Sequence, residues 1–399
     1  MSSLPPVPVT GVGCLCAAGA NLKECMNSLF TGKRNPIAPT RFSSGHQVAY
    51  PVFEISSASH SGDWSQKSDI LFTAELALMA AQEAIENAGW NHEALKDKRV
   101  GVCIGTTVGS TMNNEEFYRS YRNGENPNME AITRFLNSNP ARLIAAKYGL
   151  TGPCQTVVNA CSSGTDAIGL GASWIRSGMC DVVLAGGADE LCRVTYNGFI
   201  SLMITDDSPC RPFDAGRKGL NLGEGAAVLV LESSDLCRSR KQPRRATVRG
   251  YGSGCDAYHL TAPAPDGRGL KQAITAAMAA CNKTIENVAF VNAHGTGTTD
   301  NDRVESLVLN ELLPQIPYLS TKGYTGHTLG AAGAIEAAFT IACLEAGEIP
   351  ASAGFETRDP ELPVTPVTHQ TPVKGSIAIT QSLAFGGNNA VIVFGRGDN

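Results

Sequence analysis

The sequence has 13 cysteines and no CxxC pair among them; the closest two are Cys14 and Cys16. An odd, scattered set in a chain of 399 residues argues against a disulfide framework and against a zinc site. Most of these thiols read as small buried hydrophobes in a reducing compartment, with the cytoplasm as the expected location. Basic excess is also missing. The formal net charge is −5, so nothing advertises nucleic acid as a partner. The opening MSSLPPVPVTGVG lacks a charged stretch followed by an apolar one, so no secretory signal is expected. No apolar run reads as long enough to cross a bilayer, and no membrane partner is expected. What is present is an ordinary globular balance, 43% hydrophobic and 17% charged, with ample chain for a large core. The length suits about two domains or one large α/β unit. Many of the 42 glycines follow short β-branched runs, which suits tight strand-to-helix turns.

Short β-type runs alternate with Ala-rich helical stretches. Residues 7–14, 99–107, 154–161, 180–189 and 225–233 read as a first set of strands. Residues 68–89 read as a helix ending at a capping glycine, and a second helix begins directly after Cys161. A second set of strands follows at 246–254, 288–297, 318–327, 375–387 and 388–396, with helices over 269–282 and 329–346. The stretch ATVRGYGSG resembles the opening strand. The shared order of elements predicts an internal duplication, with halves 1–240 and 241–399. Between them, the basic run CRSRKQPRRA (237–246) reads as a solvated linker or turn. Near-continuous apolar strands alternating with helices predict mainly parallel sheets covered on both faces.

Three reactive residues stand at strand exits, where α/β folds bind ligands. Cys161 ends the apolar strand TVVNA and opens a Gly/Ser-rich helix. Such a turn exposes a nucleophile, and a helix N-terminus is expected to lower the thiol's pKa. Position alone does not separate this reading from a buried structural cysteine. His294 lies in VNAHGTGTTDND, with the hydroxyls of Thr296 and Thr298 beside it. His327 lies in STKGYTGHTLGAAGA, five residues after Lys322. A lysine in so apolar a segment either has a task or sits on the surface. SLAFGGNN adds a glycine-rich turn carrying Phe385.

Six segments together resemble the β-ketoacyl-acyl carrier protein synthases of the I/II type, and through them the thiolase superfamily. NACSSG is similar to the nucleophile motif, and NAHGTGT and STKGYTGHTLGAAGAIEA to the two histidine motifs. CRPFDAGRKGLNLGEGAAVLVLE, DAYHLTAP and LAFGGNN resemble further family segments. The resemblance covers essentially the whole chain. It implies a thiolase-like, five-layered αβαβα fold with two pseudo-duplicated halves. It also implies an acyltransferase that joins an acyl group on Cys161 to a malonyl unit on acyl carrier protein, with loss of CO2, giving a 3-oxoacyl product. His294 and His327 would stabilise the enolate, and Lys322 would hold the second histidine region. The Cys161 and Phe385 amides would form the oxyanion hole, with Phe385 as gate. Thr296, Thr298 and Thr261 would contact phosphopantetheine, and Val108 would line the acyl tunnel. Asp302 and Glu305 would support the active-site loop. Glu336 would be a structural acid near the site. Lys67, Arg211 and Arg217 fall in segments near the entrance and are candidates for carrier docking. No metal or redox cofactor is implied, since the substrates ride on phosphopantetheine.

The resemblance further implies a dimer, paired through the strand TVVNA, either with itself or with a homologous chain-length factor. Three departures bear on the substrate: TDND (299–302) after HGTGT, Leu383 at a position where an aromatic is common, and Asp166 after CSSGT. They fit an aryl polyene or other type II polyketide pathway about as well as fatty-acid elongation. A chain-length factor itself would lack the cysteine. A biosynthetic thiolase needs a second catalytic cysteine near the C-terminus, and none follows Cys343. A CoA-primed initiating synthase would carry asparagine in place of His327.

Overall fold

The computed structural model describes residues 4–56 and 70–397. Ten strands form the main sheet: β1 Val7–Cys16, β2 Val100–Gly105, β3 Cys154–Val157, β4 Val182–Asp189, β5 Gly225–Glu232, β6 Ala246–Cys255, β7 Val288–Asn292, β8 Tyr318–Leu319, β9 Ile377–Ala384 and β10 Asn388–Arg396. The helices that matter for the site are α1 Phe72–Asn87, α2 Ser163–Arg176, α3 Arg193–Ser201, α4 Ser234–Arg240, α5 Arg268–Cys281, α6 Thr299–Leu312 and α7 Ala332–Ala346.

Read outward from the centre, the first half runs β1-β5-β4-β2-β3 and the second β6-β10-β9-β7-β8. Each half has two antiparallel pairings followed by two parallel ones. The halves join where Val7–Val9 pairs antiparallel with 246–248. This repeated order supports a division between α4 and β6, and we propose the halves 1–240 and 241–399 on that ground. The layers are αβαβα. Helix α1 covers one outer face, α5 covers the other, and α2 and α7 lie against each other between the two halves of the sheet.

The duplication has a physical signature in the glycines of the two opening strands. A Cβ on Gly11 or Gly13 would sit 2.1 Å from the carbonyl oxygens of Ala84 or Ala80 in α1. A Cβ on Gly250 or Gly252 would sit 2.0 or 2.1 Å from those of Ala277 or Ala273 in α5. Bare strand positions facing alanines thus let each outer helix settle close against its sheet. This explains why VTGVG and VRGYG look alike.

Several elements differ from the sequence reading. Only Tyr318–Leu319 of 318–327 is strand, because Lys322–Thr325 turns into a short helix. The basic run is not a solvated linker throughout. Its first part belongs to α4, where Arg240 pairs with Glu232 and stacks 3.7 Å over the Trp90 ring, while Arg245 pairs with Glu345. Residues 329–346 form a stretch long and apolar enough to cross a membrane by composition alone, contrary to the expectation, yet it is 83% buried as a core helix. Strand β3 is the last strand of the sheet, the position that the expected pairing through TVVNA needs, with Val158 beside it 66% exposed.

Candidate active site

Cys161 sits on a strained turn between β3 and α2. Ala160 takes φ +48°, a left-handed backbone that non-glycine residues seldom adopt. That turn swings the thiol back toward the second half of the chain. There, His327 places Nε2 3.1 Å from the Cys161 sulfur. The ring centroids of His294 and His327 lie 5.1 Å apart, nearly perpendicular. All three side chains are buried, and all three line one cavity of about 300 Å³. Thr261, Thr296 and Thr298 line the same cavity, with Phe385 at its wall.

The loop carrying His294 is held by two acids of α6. Glu305 accepts the backbone N–H groups of His294 and Gly295, each at 2.6 Å, and the Gln381 amide at 2.6 Å. Asp302 accepts the amides of Phe213 at 2.6 Å and Gly297 at 3.2 Å. Burial pushes Glu305 up to about 7, against the pull of these donors. Both acids therefore set loop geometry and do not reach the cavity as reagents.

Lys322 is not a surface residue; its side chain is 1% exposed. It donates to Nδ1 of His294 at 3.0 Å and to the His294 carbonyl at 2.7 Å, and it pairs with Glu336. Its direct partner is thus the first histidine and not the second, which corrects the expected role. With Nδ1 accepting from the ammonium, the proton of His294 resides on Nε2. The Leu329 amide likewise donates to Nδ1 of His327 at 3.3 Å, leaving that proton on Nε2 as well. Burial and the nearby Lys322 charge hold both histidines well below the usual imidazole range. Both are neutral hydrogen-bond donors, suited to a developing oxyanion and not to general-base work.

The thiol differs from expectation. Burial raises Cys161 to about 11, although Lys322 and the Phe385 amide pull it down. Desolvation of the buried thiolate outweighs the helix N-terminus. Since the thiolate is the reactive form, alkylation of Cys161 by iodoacetamide should speed up about tenfold per pH unit through pH 9. Peptide mapping separates Cys161 from the exposed Cys154 and Cys255. A plateau below about pH 8.5, the range of a free thiol, would contradict this.

Not every candidate is brought to the site. Arg217 is buried and paired with Asp359, 3.9 Å from Asp302, so it offers no free charge for docking. Arg211 is 36% exposed and pairs with Glu356. Lys67 lies outside the described residues. Val108 is half-buried and does not line the cavity around Cys161. One residue was missed. Phe199 of α3 stacks on Phe385 at 5.3 Å and meets the His327 ring edge-on at 6.4 Å. Its local sequence, the mixed polar and apolar helix RVTYNGFIS, does not distinguish it from a core aromatic. Thr299, Asp300 and Asn301, from the departing TDND segment, line the cavity, as does Leu383.

The N-terminal domain of the beta-ketoacyl synthase family matches residues 5–236, and its C-terminal domain matches 245–356. The chain is 33% identical to the tetracenomycin polyketide synthase ketoacyl synthase alpha subunit of Streptomyces glaucescens, covering 89% of this chain and 88% of that one. It is 31% identical to 3-oxoacyl-[acyl-carrier-protein] synthase 2 of Synechocystis, covering 97% of each. Among solved structures, the ishigamide ketosynthase/chain length factor superposes with a TM-score of 0.90 at 29% identity, over 99% of this chain and 100% of that one.

Proposed function

We propose that this chain, which belongs to the beta-ketoacyl synthase family, is a 3-oxoacyl-acyl carrier protein synthase using Cys161, His294 and His327. The observation that carries the proposal is the 3.1 Å contact of His327 Nε2 with the Cys161 sulfur, with the His294 ring alongside.

The thiol of Cys161 attacks an acyl thioester. The new carbon–sulfur bond forms, the carrier's pantetheine thiolate leaves, and the proton lost by Cys161 ends on that thiol. A malonyl thioester then enters beside Thr261, Thr296 and Thr298. Its bond from C2 to the carboxyl carbon breaks, CO2 departs, and the electron pair moves into the thioester as an enolate. The Nε2 protons of His294 and His327 stabilise that oxyanion, so no external base is needed. C2 attacks the acyl carbonyl. The tetrahedral oxygen is held by the amides of Cys161 and Phe385, and collapse breaks the carbon–sulfur bond, freeing a 3-oxoacyl thioester and the Cys161 thiolate, which takes one proton from solvent. The Phe199–Phe385 stack closes the acyl side of the site until a chain is bound. The reaction calls for no metal or redox group.

The partner is an acyl carrier protein, as the name of the Synechocystis relative states for that protein. The sheet edge at β3, with its exposed Val158, supports pairing with a second chain. We propose fatty-acid elongation with a copy of itself as the main reading. The likeness to a ketosynthase/chain length factor supports a second, a type II polyketide pathway with a homologous partner. The test is reconstitution with acyl- and malonyl-carrier protein, with and without a chain-length-factor homologue. The expected product is a 3-oxoacyl carrier with one CO2 released per condensation. Acyl exchange without CO2 release would overturn the reading.

A further inference from the structure

Asp166 lies in the first turn of α2, is 8% exposed, and has no part in the chemistry above. Its carboxylate gathers three donors. Asn159 Nδ2 donates to Oδ2 at 2.6 Å, Ser162 Oγ to Oδ2 at 2.8 Å, and the Tyr251 hydroxyl to Oδ1 at 2.8 Å. Asn159 and Ser162 bracket the strained Ala160–Cys161 pair. Tyr251 comes from β6, in the other half of the chain. Its ring is seated against α2 at Gly169, where a Cβ would lie 2.4 Å from it. Burial and the Asp166 charge raise the Tyr251 hydroxyl, so it stays protonated and donating.

We propose that Asp166 and Tyr251 form a clamp that sets the position of the nucleophile, so that Asp166 is a positioning residue for acyl transfer. The inference rests on the condensing-enzyme reading above. The left-handed Ala160 is a cost that the turn must offset. The remaining bonds of the turn, such as Ser163 Oγ to the Ala160 carbonyl at 2.7 Å, are local. The Asp166 carboxylate ties Asn159 and Ser162, on the two flanks of Cys161, to Tyr251 of the second half, where His294 and His327 reside, and Thr165 of the same helix adds a bond to Ser382 at 2.8 Å. The sulfur is thereby fixed relative to the histidines across the join between halves. The clamp acts through geometry, by fixing where the Cys161 sulfur sits. Malonyl decarboxylation needs the two histidines and not the sulfur, so it lies outside the clamp's reach.

The test compares two partial reactions in the full-length protein. One is acylation of Cys161 by an acyl-carrier thioester, and the other is CO2 release from malonyl-carrier protein by the unacylated enzyme. Asp166→Ala should slow acylation by about 10²-fold, the scale of a misplaced reacting group, while decarboxylation stays within roughly threefold. Tyr251→Phe removes one donor, fills the same space and does not threaten folding. It should slow acylation about two- to tenfold, as for one lost hydrogen bond, with the same selectivity. Acylation unchanged in both variants would overturn the inference, and so would acylation and decarboxylation falling in step. If Asp166→Ala fails to fold, Tyr251→Phe decides. A wild-type protein that neither takes up acyl groups nor releases CO2 would overturn the parent reading, and this inference with it.

Discussion

The Cys161→Ala protein is expected to condense nothing, yet to go on releasing CO2 from malonyl-carrier protein. Among the described residues, Cys161 is the one cysteine that lines the cavity, with His327 Nε2 3.1 Å from its sulfur. Its loss should lower acyl transfer by about 10⁴-fold or more, as when a nucleophile is removed from a unit that acts together. Decarboxylation asks only for donors to the enolate oxygen. Those donors owe their tautomers to Lys322 and to the Leu329 amide, neither of which touches Cys161 in this role. The alanine methyl fits where the thiol was, so the cavity keeps its shape. Labelled CO2 release should stay within about tenfold of wild type. If decarboxylation disappears together with acyl transfer, the division of labour between sulfur and histidines is wrong.

Lys322→Met should damage both stability and decarboxylation. The ammonium pairs with Glu336 inside the protein, and burial already pushes that acid up to about 7. Removing one partner of a buried pair costs about 3–5 kcal/mol when the other stays charged. Without the ammonium, the folded-state pKa of Glu336 rises further above its unfolded value. The native variant then binds a proton that the unfolded chain has released, so its stability falls as pH rises. Denaturant unfolding should therefore show a larger loss at pH 8 than at pH 6. At the site, Nδ1 of His294 loses its donor, and the ring is no longer fixed with its proton on Nε2. Decarboxylation should fall about 10²–10³-fold, the scale of a lost oxyanion donor. A variant as stable as wild type at pH 8, with unimpaired CO2 release, would contradict the roles given to Lys322 and Glu336.

The grouping of Cys161, His294 and His327 was legible because each lies in a glycine-rich segment that follows a strand, although a short helix over Lys322–Thr325 stands between the strand and His327. The duplication was legible for a similar reason: glycines facing alanines recur in β1 and β6. What lay hidden depends on contacts between distant segments. Lys322 is five residues from His327 in sequence, yet its ammonium rests on His294, 28 residues away. Arg217 looks like any surface arginine until Asp359, 142 residues on, is seen beside it. Phe199 gains its place from stacking on Phe385, which no local pattern announces. The TVVNA strand was expected to pair with a second chain, and in the single chain it forms a sheet edge, the position such pairing needs. Asp166 was visible only as an oddity, and its meaning required Tyr251 from the other half.

The central claim is that Cys161 carries the acyl group that condenses. It is tested most directly by incubating the wild-type protein with an acyl-carrier thioester, digesting it, and locating the added mass by peptide mapping. A second aliquot is chased with malonyl-carrier protein before digestion. The predicted result is one acyl group on the peptide bearing Cys161 and on none of the other twelve of the 13 cysteines, lost in the chase as an equal amount of 3-oxoacyl carrier forms. An acyl group found on another residue, or one on Cys161 that the malonyl chase fails to remove, would contradict the account.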